Sequence, residues 1–117
     1  MKGYATVRVR LQGKTVVCEP DPVTVYFKTG PDCLRFTFPE TPREVVSVVI
    51  QWKDGGRPLF SGMGSAPSSV GSHLPDLITR GNCQVPGRYS YAVHMLDAQG
   101  NLVGEVDPNV DNKEAPP

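Results

Sequence analysis

Long apolar runs, net charge, closely spaced cysteines and abundant aromatics are all missing from this chain of 117 residues. Its longest apolar stretch, about "VVSVVI" (Val45 to Ile50), falls far short of the roughly 20 residues that a membrane-spanning helix needs, so the chain reads as soluble with no membrane partner. Lysine plus arginine number 12, as do aspartate plus glutamate, and the two signs are interspersed. With no basic stripe to neutralise phosphates, the composition points away from nucleic acid, and zero net charge offers no steering toward another partner. Three cysteines, Cys18, Cys33 and Cys83, permit at most one disulfide, and none lies in a C-x-x-C pair. They fit reduced, buried thiols that act as small hydrophobes. One tryptophan, four tyrosines and four phenylalanines are too few to suggest a sugar-stacking surface.

The N-terminal "MKGYATVRVRLQ" alternates polar and apolar residues and has no continuous apolar segment of the secretory kind. The expected location is the cytoplasm if Met1 is the native start, and the periplasm or the outside of the cell if a signal was removed.

What the chain has in plenty is punctuation. Twelve prolines and twelve glycines, spread along the whole length, leave room for short strands rather than long helices. "YATVRVRL" sets Ala5, Val7, Val9 and Leu11 against Thr6, Arg8 and Arg10, the period of a strand with one buried and one wet face. The turn "QGK" and "TVVC" (Thr15 to Cys18) complete a first hairpin. "VTVYFK" (Val23 to Lys28), "TGPD" and "CLRFTF" (Cys33 to Phe38) read as a second, with Leu34, Phe36 and Phe38 toward the core and Cys33 on the opposite face with Arg35 and Thr37. "EVVSVVIQW" (Glu44 to Trp52) is β-branched and aromatic, which predicts a central strand buried on both sides and a core tryptophan.

From Ser61 to Pro86 the composition turns to glycine, serine and proline, the mark of one long loop, in which "LPDLIT" fits a single helical turn begun by Pro75. The last third is the clearest: "GRYSYAVHML" (Gly87 to Leu96) alternates Tyr89, Tyr91, Val93 and Met95 against Arg88, Ser90, Ala92 and His94. "DAQGN" then turns the chain and "LVGEV" (Leu102 to Val106) pairs back. About seven short strands without intervening helices predict an all-β fold, a single antiparallel β-sandwich over residues 1–110 with a polar C-terminal tail over 111–117.

"PGRYSYAVHMLDAQGNLVGEVDP" resembles the closing hairpin of two families of β-sandwich, the cupredoxin-like domains and the immunoglobulin-like modules of bacterial surface proteins. In both, a proline and glycine precede a Tyr-x-Tyr strand. Asp107-Pro108 and the "VIQW" strand end are similar to cupredoxin-like features too. The resemblance covers the last quarter of the chain and implies a sandwich fold, but not copper. Val93 stands where the cupredoxin cysteine is expected, and His94 and Met95 are strand neighbours that project to opposite faces. His73, Cys83 and His94 are the remaining candidates for a metal site, of the kind that suits zinc or copper, weighed against buried thiols and surface histidines. No cofactor is expected.

Ser72, His73 and Asp76 in "SSVGSHLPD" supply the residue types of a hydrolase without a G-x-S-x-G elbow. The aspartates sit mostly beside glycine or proline as turn formers, and "GMGSAPSSVG" lacks the lysine of a phosphate loop. The reading that follows is a non-enzymatic β-sandwich domain that binds another protein through a sheet edge or the Ser61 to Pro86 loop, with Tyr26, Phe60, Met63 and His73 as candidate contacts. A cupredoxin-like metal-binding or electron-transfer protein and a small hydrolase are the alternatives. Exposed edges would also allow a homo-oligomer by sheet continuation.

Overall fold

The computed structural model describes residues 2–53, 58–62 and 74–117. Among them, eleven strands follow one another: β1 (Tyr4–Gln12), β2 (Thr15–Glu19), β3 (Val23–Tyr26), β4 (Cys33–Thr37), β5 (Ser47–Trp52), β6 (Phe60–Gly62), β7 (Leu77–Ile78), β8 (Arg80–Asn82), β9 (Gly87–Leu96), β10 (Leu102–Val106) and β11 (Asn109–Lys113). The protein is all-β. Nine strands form one sheet in the order β3-β11-β9-β10-β2-β1-β4-β7, with β5 added on β9, while β6 and β8 pair separately.

Both hairpins with clear turn chemistry form. β1 and β2 pair antiparallel with Gln12 opposite Thr15, and Gly13 supplies the positive φ of 63° that such a two-residue turn requires. β9 and β10 pair antiparallel around a loop in which the Asp97 carboxylate accepts the backbone N–H of Gln99 and of Asn101 at 2.9 and 2.8 Å. Gly104 lies where this hairpin meets the first one: a Cβ there would come within 2.6 Å of Leu11 Cδ1 and 3.1 Å of the Lys14 carbonyl oxygen. Its missing side chain lets β10 approach and pair with β2.

Elsewhere the pairing departs from expectation. The sheet is mixed, not purely antiparallel, and its strands exceed seven. Val23–Tyr26 and Cys33–Thr37 do not pair with each other; β3 runs parallel to β11, and β4 parallel to β1. A hairpin turn follows β3 without a returning partner, because the chain crosses instead to the far side of the first hairpin. Residues 111–113, expected in a polar tail, complete β11, which sits between β3 and β9 with Val110 and Asn112 buried. The long loop carries β7 and β8, and "LPDLIT" holds no helical turn: Leu77 and Ile78 pair with β4. Cys33 is buried like Leu34, so β4 is covered on both faces at its start.

β9 organises the sheet. β10 and β11 lie end to end along one of its edges, and from Gly104 to Asn112 they keep a single register that passes through Pro108, whose carbonyl accepts the Tyr91 N–H at 3.1 Å. β5 lies along the other edge. The face of β9 bearing Tyr91, Val93 and Met95 is buried against Val7, Val9, Leu34 and Phe36 from β1 and β4. Phe36 and Tyr91 touch edge to face at 5.7 Å although β10, β2 and β1 stand between their strands, so the sheet bends back over its own apolar face.

Candidate functional site

Of the residues singled out from the sequence, Met63, Ser72 and His73 lie outside the described residues. Phe60 is 2% exposed and packs on Trp52 at 5.8 Å, so it belongs to the core and offers a partner almost no surface. Tyr26 ends β3 half-buried rather than standing out as an exposed anchor. Asp76 is engaged by the Arg35 guanidinium, which donates to its Oδ2 at 2.6 and 2.8 Å.

Cys83 and His94 do not converge. The Cys83 sulfur lies 3.3 Å from the Tyr89 hydroxyl, whereas His94 sits on the other face of β9, its Nε2 3.4 Å from Glu105 Oε2. His94 and Met95 do project to opposite faces, Met95 being fully buried. Among the described residues no three His, Cys, Asp or Glu side chains cluster as a metal site would need. The thiols are free. Burial, reinforced by the nearby Asp21 charge, pushes Cys18 up to about 12, and burial with the Asp32 charge pushes Cys33 up to about 11, so both are protonated and unreactive at neutral pH.

The feature with unused binding capacity is β5. The sequence places it at the centre of the sheet, buried on both sides; instead, among the described residues, it pairs with β9 alone and forms an edge. Val48 and Ile50 are buried on the core side, and Trp52, in phase with them, meets Tyr91 at 5.7 Å; Val49 is half-buried and Gln51 exposed on the outer side. A continuous apolar run was no guide to centrality here, because the second face of β5 is only partly covered.

The ladder settles which backbone groups of β5 are spent. Lys53, opposite Ser90, donates its N–H to the Ser90 carbonyl at 3.1 Å, and the register continues through Gln51 opposite Ala92, Val49 opposite His94 and Ser47 opposite Leu96. In an antiparallel pair, alternate residues direct both backbone groups to the partner strand and the intervening ones direct both away from it. The N–H and C=O of Val48, Ile50 and Trp52 therefore point out of the sheet edge. The six residues SVVIQW contain no charge and no proline, two of the devices that blunt an edge, while Val48 is wholly buried and so covered.

Behind this edge the outer face of β5, β9 and β10 forms a shallow depression of about 490 Å³, floored by Ala92 and bordered by Gln51, Lys53, His94, Glu105 and Asp107. Lys53 Nζ and Asp107 Oδ2 pair at 3.0 Å across it. Its charges are matched, Lys53 with Asp107 and His94 with Glu105, which makes it a polar rim to the edge.

Compared with protein-family models, curated proteins and solved structures, the chain matches none.

Proposed function

We propose that this chain is a non-enzymatic β-sandwich domain that binds a protein partner by strand addition at β5. The observation that carries the reading is that β5, uncharged along its length, pairs with β9 alone among the described residues and turns the backbone groups of Ile50 and the half-exposed Trp52 away from it. Main-chain hydrogen bonds from an added strand supply affinity. The alternation of core-side Trp52 with outer Gln51 supplies a side-chain register. The sandwich architecture is supported by the Phe36–Tyr91 contact, which joins two halves of the bent sheet.

The test is selection from a random-peptide display library on the folded protein, followed by amide hydrogen exchange with a selected peptide bound. The expected result is slowed exchange at Ile50 and Trp52, with Val49 and Gln51, already bonded to β9, unchanged. Selected peptides that protect amides elsewhere, or a library that yields no binder, would sink the reading.

A further inference from the structure

We infer that the outer face of β1 and β4 is a second interaction surface, fitted to a protein segment that carries a carboxylate between apolar side chains. Side chains alternate along a strand, so Tyr4, Thr6, Arg8 and Arg10 share the side of β1 that turns away from the buried Val7 and Val9. The ladders extend this face across the sheet. One row runs from Glu19 through Arg8 to Thr37, and the next from Thr6 through Arg35 to Ile78. β10 and β2 separate β1 from β9, so the surface is distinct from the β5 edge and does not rest on it.

Charge is the first argument. Arg10 donates to Glu19, and Arg35 donates to Asp76 from Nε and Nη2 at 2.8 and 2.6 Å. Arg8 stands opposite Glu19 in the ladder, yet Arg10 takes that carboxylate, and Arg8 has no ion-pair partner among the described residues. Beyond them the sequence holds one further carboxylate, Asp54. Arg8 is exposed, so this face of a molecule with zero formal net charge keeps a positive charge unanswered.

Apolar surface is the second. Of the large hydrophobic side chains exposed among the described residues, Tyr4 at 38% and Ile78 at 45% flank the same arginine: Ile78 stands opposite Arg35, and Tyr4 is its diagonal neighbour on β1. The strands of this face carry three arginines and no lysine. Arginine and tyrosine are enriched at protein interfaces and lysine is depleted, because a planar, weakly hydrated guanidinium and an amphipathic ring give up water at low cost.

The occupant follows from both. A carboxylate answers Arg8, and aliphatic or aromatic neighbours cover Tyr4 and Ile78. A nucleic-acid backbone fits less well, since Glu19 and Asp76 stand beside the same arginines and repel a run of phosphates.

The test is a nuclear magnetic resonance titration with short synthetic peptides in which Glu is flanked by Leu and Phe, with matched peptides carrying Gln or Lys in place of Glu, and with oligothymidylate as a polyanion. The Glu peptides are expected to shift the Tyr4, Arg8 and Ile78 signals, to bind about threefold more tightly than the Gln peptides, and to weaken as ionic strength rises from about 0.05 to about 0.5 M. Arg8→Glu should leave the melting temperature unchanged, weaken the Glu peptides about tenfold and shift the preference to the Lys peptides, a reversal that misfolding would not produce. Shifts confined to other residues, equal binding of the Glu and Gln peptides, or tighter binding of oligothymidylate than of any Glu peptide overturns the inference.

Discussion

Asn82 and Asn112 exchange side-chain hydrogen bonds in both directions, Asn82 Nδ2 donating to Asn112 Oδ1 at 2.9 Å and Asn112 Nδ2 to Asn82 Oδ1 at 3.0 Å. The pair joins β8 to β11, and the two amides bond further to the carbonyls of Asp32 and Val85. It is the polar clasp by which the segment returning from the long loop is held to the sheet.

Asn112 is buried, and Asn112→Ala removes its hydrogen bonds to Asn82 and Val85, which keep Asp32, Gln84 and the Tyr89 hydroxyl as partners, so the change should cost about 2 kcal/mol. Urea denaturation of the two proteins side by side measures it. A change within error would show that water replaces the clasp without loss.

Tyr91 presents the opposite case. Its hydroxyl is buried with no hydrogen-bond partner of ordinary geometry, and desolvation, followed by the Cys18 thiol beside it, pushes its pKa well up. Tyr91→Phe keeps both ring contacts and removes an unsatisfied polar atom, so the thermal midpoint should hold or rise slightly, whereas Tyr91→Ala should lose about 3 to 5 kcal/mol.

The buried thiols set an alkaline limit. An exposed thiol in the unfolded chain ionises near its ordinary value of 9.0, while the folded protein keeps Cys18 and Cys33 protonated to about 12 and about 11. Because the folded values are raised, their stabilising contribution is complete below about pH 9 and is lost progressively as pH rises from there toward the folded values. Melting temperatures from pH 8 to pH 11 should fall steeply past pH 9, and a Cys18→Ala, Cys33→Ala variant should show a shallower fall. Parallel curves would remove the thiols as the cause.

On the acid side, the exposed Arg88 guanidinium donates to both oxygens of Asp111 at 2.7 and 3.0 Å and holds that carboxyl below its ordinary value. A lowered value means stability present at neutral pH and lost as pH falls through the carboxylate range. Asp111→Asn should flatten this acid limb modestly, read as the difference between melting curves at pH 6 and pH 3; screening at the surface keeps the effect small.

Ending the chain after Val110 should abolish cooperative unfolding. It removes the residues opposite Thr24, Val25 and Tyr26, and β11 is the strand that holds β3 in the sheet. Near-ultraviolet circular dichroism through a thermal ramp reads the outcome. A sharp transition in the shortened chain would return residues 111–117 to the status of a dispensable tail.

Strand existence was legible wherever one face is wet. The alternation of Val7 and Val9 with Arg8 and Arg10, and of Val93 and Met95 with His94, matches the burial in β1 and β9, although Ala92 is buried as well, and two of the three turns read as hairpins lead to one. β11 was missed because "NVDNK" is polar at every position but Val110, and its burial comes from the Asn82 clasp and its two neighbours rather than from its own hydrophobicity. The candidate contacts fared unevenly for a related reason: Phe60 is as apolar as a surface anchor would be, and only the position of Trp52 decides that it is covered.

By itself the sequence determined an all-β chain, the ends of two hairpins and the inward faces of their strands, since side-chain alternation and turn chemistry are local. Tertiary structure alone decided that β3 runs beside β11 and β4 beside β1, and that β5, for all its apolar run, pairs with β9 alone among the described residues. Backbone hydrogen bonds are the same for every residue pair, so they carry no record of which strand is the partner. That choice is made by whichever faces must be covered together when the whole sheet bends around its core.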